Sequence, residues 1–268
     1  MFSVFCNGIP CLSLLGVHIL AHSILKDGVY TLRNFVLVHG AWCGGWVWRD
    51  VADILRSAGH YIFTPTLSGM GERSHQLTAD ISLQTHIQDI VSVIEYERLN
   101  DVTLVAHSYG GMVATGVADR ITDKIDALIY LDAALPHDGQ VMLDLVSAER
   151  RETVIQLARE EGDGIGIPSS LLLDTGIEDA AKQQEFIART CLHPLAAQLD
   201  PIRLEGNFQR IRRKAYVLAA ISNSHHFRGY MEWAQSEPGW VGEEIQSHHF
   251  PMTTMPRETA DMLMRLSA

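Results

Sequence analysis

At 268 residues, 47% hydrophobic and 7% aromatic, the chain is long enough for one large or two small domains with a sizeable apolar core. Its 21 basic and 32 acidic residues leave a net charge of −11, which argues against nucleic acid or an anionic membrane surface as partner, since both call for a basic patch. The four cysteines (Cys6, Cys11, Cys43, Cys191) make no C-x-x-C pair and no zinc spacing, so reduced thiols and a cytoplasmic location are expected.

Residues 1–33 stand apart from the rest. Ile9 to Leu25 is mostly apolar but interrupted by His18 and His22, with no Lys or Arg before it and no A-x-A site after it. It reads as an extension outside the fold proper, disordered or leader-like, with secretion through it as the alternative. No apolar run reaches the roughly 18 residues of a membrane span, so no stable membrane insertion is expected.

From Phe35 onward strand and helix patterns alternate, which predicts an α/β class with a mostly parallel sheet flanked by helices. Phe35 to Val38 is a buried strand ending at His39-Gly40. Val47 to Ala58 reads as a helix stopped by Gly59, and Tyr61 to Phe63 as a short strand ended by Pro65. Thr66 to Thr78 is a loop rich in Gly and Ser, and Ile87, Ile90, Val91 and Ile94 mark the buried face of a helix. Val102 to Ala106 and Ala127 to Leu131 are strands around a helix at Met112 to Arg120. Ala215 to Ala219 and Gly242 to Ile245 are two more strands, and Glu258 to Leu266 is a closing amphipathic helix.

Between Pro136 and about Glu205 the alternation stops. An insertion of about 70 residues is too long for a connection and predicts a helical cap over the C-terminal edge of the sheet, where ligands bind in open α/β sheets. The chain thus divides into an extension (1–33), a core in two parts (34–135 and 206–268) and the cap (136–205), inserted after the strand that ends at Asp132.

The segment Val102 to Met112 carries the chemistry. An apolar strand runs into Ser108, and Gly110 and Gly111 open a helix at once. This matches G-x-S-x-G, a strand-to-helix turn that presents the Ser alone above the sheet, with Ala106 one methyl away from the pattern. A Ser hydroxyl needs a base within hydrogen-bond reach and a group that orients the base. Two late histidines follow the last strand, His248 and His249. Two backbone N–H groups should face the developing oxyanion, one from Tyr109 and one from Ala41 in the loop after the first strand.

The acid is harder to place. No Asp or Glu occurs from Ala215 to Met231, where the loop after a late strand would carry it. Asp132, at the tip of the strand that follows Ser108's, is the best substitute. Glu232, Asp138 and a contact through Ser222 or water remain open. Trp42, beside the oxyanion loop, and Met252, after the late histidines, are candidate pocket residues, with packing as the alternative for both. His225-His226 and His248-His249 lack a carboxylate or Cys at ligand spacing, so neither a metal nor a cofactor is expected.

Phe35 to Trp42 with Gly44-Gly45-Trp46 and Trp48, then Thr64 to Ser74, Thr85 to Ile87 and Tyr130 to Ala133, resemble the small α/β-hydrolase-fold carboxylesterases. That group includes plant methyl-ester hydrolases, hydroxynitrile lyases and bacterial pyrethroid hydrolases. The resemblance runs from about Asn34 to the C-terminus, weakest through the cap. It implies a cofactor-free serine hydrolase acting on small to medium apolar esters, with amides and lactones as alternatives that would use the same parts, and it selects His249 as base, three residues before Met252. The family's acid position falls near Ser222, so the chain departs from the pattern there. Lyases of the group carry Thr at the position of Gly40 and Lys at that of Phe250, which favours ester hydrolysis. A lyase-like enzyme and a ligand binder with impaired catalysis are the alternatives.

Overall fold

The protein is described by a computed structural model covering residues 22–25, 28–172, 175–222 and 225–268. Residues Met1–Leu32 and Arg33–Ala268 form two separate compact units. Most of the expected extension therefore lies outside the described residues. In the first unit, strands β1 (His22–Leu25) and β2 (Gly28–Thr31) pair antiparallel, His22 opposite Thr31.

The second unit is built on a six-stranded parallel sheet. Its strands are β3 (Asn34–Val38), β4 (Tyr61–Phe63), β5 (Val102–Ser108), β6 (Ile125–Ala133), β9 (Arg213–Ala219) and β10 (Trp240–Ile245), in the order β10-β9-β6-β5-β3-β4. Both faces are covered, which is why the strands read as unbroken apolar runs. Period-two alternation then divides them. Val36, Val38, Leu104, Ala106, Leu128 and Tyr130 share one core with α2 (Leu83–Tyr96), α3 (Gly110–Arg120) and α7 (His225–Ser236). Phe35, Leu37, Val105, Ile129 and Leu131 share the other with α1 (Arg49–Ser57) and α9 (Pro256–Ser267).

Local chemistry sets the helix starts. Ser82 caps α2 through a reciprocal box in which its hydroxyl accepts the Gln84 N–H and the Thr85 hydroxyl accepts the Ser82 N–H. The expected helix from Val47 instead begins as a 3-10 turn, Gly45–Trp48, before α1. Gly45 donates its N–H to the Thr66 hydroxyl at 2.8 Å, and a Cβ there would lie 2.0 Å from the Thr64 carbonyl oxygen, so this stretch is pinned against the exit of β4. The loop expected after Ala219 turns helical at His225 and becomes α7.

Residues 136–205 hold α4 (Ala148–Glu161), α5 (Ala180–Ala188), α6 (Leu195–Leu199) and a short antiparallel ribbon of β7 (Gly166–Ile167) and β8 (His193–Pro194). Ser147 and Asp179 cap α4 and α5. The segment has its own small core of Leu143, Val154, Ala158, Ile167 and Leu171. Its exit is fastened to α3, where the Asp119 carboxylate accepts the Glu205 and Phe208 N–H groups at 2.6 and 3.1 Å. It belongs to the same compact unit as the sheet.

Candidate active site

The turn at Ser108 is tight because of what surrounds it. Ser108 closes β5 with φ of +54°, in the left-handed region, and α3 begins two residues later. A Cβ on Gly110 would sit 2.8 Å from the His39 carbonyl oxygen, and one on Gly111 would sit 1.9 Å from that of Ala134. Both glycines are therefore steric necessities. Ala106 is wholly buried in the first core, where its methyl is accommodated. Ser108 itself is half-buried.

Asp132 and His249, 117 positions apart, meet beside this turn. The His249 Nδ1–H donates to Asp132 Oδ2 at 2.6 Å. Asp132 has no exposed surface and a φ of +44°, and its Oδ1 accepts the Ala219 N–H at 3.2 Å. The strand order accounts for the meeting: β6 lies between β5 and β9, so its tip is one strand spacing, about 4.8 Å, from each. A carboxylate there reaches the position that a loop after β9 would otherwise serve.

The His249 ring is held on several sides. His107 lies 4.6 Å away centroid to centroid, Phe227 stacks at 5.9 Å with a 20° tilt, and Phe250 meets it edge-on at 5.1 Å. His107, missed by the sequence analysis, does more than pack. Its Nε2–H donates to the His249 main-chain carbonyl at 2.7 Å. Burial lowers its pKa well below the usual value, so it is neutral, and the carbonyl partner places the proton on Nε2. Only its place next to Ser108 could have marked it in the sequence.

The loop after β3 runs against the same turn. A Cβ on Gly40 would lie 2.8 Å from Ser108 Cβ, so the backbone before Ala41 passes directly over the serine. His39 fixes the loop from beneath. Its Nδ1–H donates to the Gly40 carbonyl at 2.8 Å and its Nε2 accepts the Leu67 N–H at 3.1 Å. Burial lowers its pKa to about 4, which keeps the ring neutral as this pattern requires. Tyr109 is anchored at its far end, where its hydroxyl donates to His86 Nδ1 at 2.9 Å and His86 Nε2–H donates to the Ser68 carbonyl at 3.0 Å. Ser68 is bound in turn by Asp89 and Arg73. The Gly-rich loop 66–78 thus serves as the foundation of both oxyanion candidates.

Trp42 is half-buried between the first core and the small core of residues 136–205, and its indole N–H donates to the Ile167 carbonyl at 3.1 Å. Met252 requires a correction. It is fully buried in the second core together with Trp48, Leu55 and Phe250, and it packs rather than lines the approach to Ser108. The sequence could not distinguish these, because a Met two residues after Phe250 fits either environment. Ser222 is described, but Asn223, Ser224 and the side chains of His225 and His226 lie outside the described residues. Among the described residues there is no cluster of three or more His, Cys, Asp or Glu that could hold a metal ion, and no helix long and apolar enough to cross a membrane.

Comparison with known proteins shows the family and the fold. Residues 35–262 match the alpha/beta hydrolase family. The chain is 39% identical over 244 residues to a carbendazim hydrolyzing esterase of Nocardioides sp., covering 88% of this chain and all of that one. It is 24% identical over 260 residues to an esterase of rice, Oryza sativa subsp. japonica, covering 88% of this chain and 96% of the other. A solved extracellular alpha/beta-hydrolase from a Paenibacillus species superposes with a TM-score of 0.76 at 25% identity, over 87% of this chain and 98% of that one.

Proposed function

The chain belongs to the alpha/beta hydrolase family and is a carboxylic ester hydrolase, and on that footing we propose that it cleaves small to medium, fairly apolar esters through an acyl-enzyme on Ser108. The reading is carried by one observation, the 2.6 Å contact of His249 with the buried Asp132 carboxylate beside the strained turn at Ser108.

In this mechanism Ser108 Oγ attacks the ester carbonyl carbon while His249 Nε2 takes the hydroxyl proton. The carbonyl electron pair moves onto oxygen, where the Ala41 and Tyr109 N–H groups receive it at the N-terminal end of α3. Collapse expels the alcohol, protonated by His249, and leaves the acyl group on Ser108. Water, deprotonated by His249, then attacks the acyl carbon and releases the acid. Asp132 holds the imidazole with its Nδ1 protonated, which keeps Nε2 free to act as base.

Trp42, which spans the two apolar cores at the cap, is the proposed contact for the substrate's apolar portion. Lyase chemistry is disfavoured sterically. A side chain at position 40 would press on Ser108, and Phe250 is buried in the second core, 2% exposed. On cysteine usage we place the enzyme in a reducing, cytosol-like compartment, supported by the free thiols Cys43 and Cys191.

The test is steady-state turnover of p-nitrophenyl esters from acetate to octanoate, by the wild type and Ser108→Ala. Carbendazim, for which the Nocardioides relative is named, belongs in the same panel. Turnover that falls steeply in Ser108→Ala is expected. Turnover that survives the substitution would remove Ser108 as nucleophile.

A further inference from the structure

The loop carrying Ala41 is gripped by the cap. Trp42, the next residue, has φ of +62°, a left-handed conformation that a residue with a side chain holds only when its surroundings impose it. Its main-chain carbonyl accepts the Cys191 N–H at 3.0 Å, and its indole N–H donates to the Ile167 carbonyl. Ile167 pairs with His193 in the β7–β8 ribbon, so both ends of Trp42 are tied to one small piece of the cap.

Cys191 makes more contacts than its backbone bond. Its Sγ accepts the Gly71 N–H at 3.1 Å and lies 3.5 Å from the Trp42 carbonyl oxygen, to which the thiol hydrogen can donate. Burial raises the thiol pKa, which keeps that hydrogen in place at neutral pH. Gly71 meanwhile presses on the same loop from the opposite side. A Cβ on Gly44 would lie 3.1 Å from Gly71 Cα. Loop 40–45, loop 66–76 and the cap therefore converge on one sulfur atom.

Resting on the assignment of Ala41 to the oxyanion hole, we propose that Cys191 is a positioning residue for that hole. Its N–H and thiol lock Trp42 in the left-handed turn that aims the Ala41 N–H over Ser108. The cap is then part of the catalytic geometry as well as a wall of the substrate site. An unsatisfied Gly71 N–H and a loosened Trp42 carbonyl are the consequences of losing the sulfur. The cost should fall on the transition state, where the oxyanion is formed, and spare ground-state binding.

The experiment compares Cys191→Ala, Cys191→Ser and Trp42→Phe with the wild type. Active sites are counted by organophosphate titration, and kcat and KM are read per titrated site on p-nitrophenyl butyrate. In parallel, affinity is measured for an alkyl trifluoromethyl ketone. Its carbonyl carbon bonds to Ser108 Oγ, the hydroxyl proton passes to His249, and its oxygen becomes a stable oxyanion. In Cys191→Ala we expect kcat and ketone affinity to fall together, about tenfold, with KM changed less than about twofold. Cys191→Ser, whose hydroxyl can accept from Gly71 and donate to Trp42, should recover most of the loss. Trp42→Phe, which keeps a ring but loses the indole donor, should lower kcat and ketone affinity together with KM little changed, whereas a lost substrate contact alone would raise KM.

Wild-type kcat and ketone affinity in Cys191→Ala would overturn the proposal, as would a Cys191→Ser variant no better than Ala. If Cys191→Ala yields no folded protein, Cys191→Ser and Trp42→Phe decide the matter, and undiminished ketone affinity in Trp42→Phe counts against it. Ser108→Ala run alongside separates the two levels. Residual turnover there means that the site assignment is wrong, whereas its loss with unaffected Cys191 variants means that only the positioning role is.

Discussion

Asp132 and Ala219 are joined across neighbouring strands: the Ala219 main-chain N–H at the end of β9 donates to Asp132 Oδ1 at the end of β6, 3.2 Å away. The other carboxylate oxygen faces His249. The strand whose following loop has no carboxylate thus still helps to hold one, supplied by the strand beside it. A fully buried Asp needs both partners, because an uncompensated charge in that position would be costly.

Asp132→Asn should therefore lower kcat by about 10²- to 10⁴-fold, because an amide beside Nδ1 favours the wrong imidazole tautomer. Ser222→Ala should stay near wild type. Steady-state kinetics on p-nitrophenyl butyrate check both, and near-full activity in Asp132→Asn would show that the acid lies elsewhere.

His107 offers a second kinetic prediction. Replacing it by Leu removes the donor to the His249 carbonyl and lets the loop of the base drift, for which a loss of about 10- to 100-fold in kcat is expected. His107→Gln retains an N–H that can reach the carbonyl and should recover much of the rate. A Gln variant as slow as Leu would assign the effect to packing alone.

The buried histidines predict acid sensitivity. His39 and His86 have pKa values lowered to about 4 by burial, while an unfolded chain titrates them near 6.5. Between those values the unfolded state binds protons that the folded state does not, so stability is present above pH 6.5 and is lost as pH falls toward 4. Each group contributes a slope of up to about 1.4 kcal/mol per pH unit in that window. Urea midpoints measured from pH 7.5 to 5 should fall, and less steeply in His86→Gln. A flat series would contradict the burial of these rings as neutral groups.

Met252 gives a prediction of the opposite kind. As a core residue, Met252→Leu should leave kcat and KM nearly unchanged, while Met252→Ala should cost about 2–5 kcal/mol of stability. A large KM change in Met252→Leu would return it to the substrate site.

Much of the framework was legible without coordinates. The apolar runs at Phe35 to Val38, Val102 to Ala106, Ala127 to Leu131 and Ala215 to Ala219 all lie in strands of the parallel sheet. Boundaries moved where tertiary contacts intervened, as at Gly45, pinned by Thr66 ahead of α1. His107 and Cys191 were illegible. Their contacts are with partners 142 and 149 positions away, and neither has a local pattern to mark it.

The turn at Ser108 was determined by the sequence itself, because its requirements are local: an apolar strand, two residues too small to clash, and a helix start, all within a few positions. Which carboxylate meets His249 was decided only by the tertiary structure. That choice depends on β6 lying between β5 and β9, a neighbourhood of strands far apart in the chain. The same holds for Met252, whose side chain faces the second core because of the path the chain takes after β10. Short-range sterics are written into neighbouring residues, whereas the meeting of distant side chains is fixed only when the strands are placed in order.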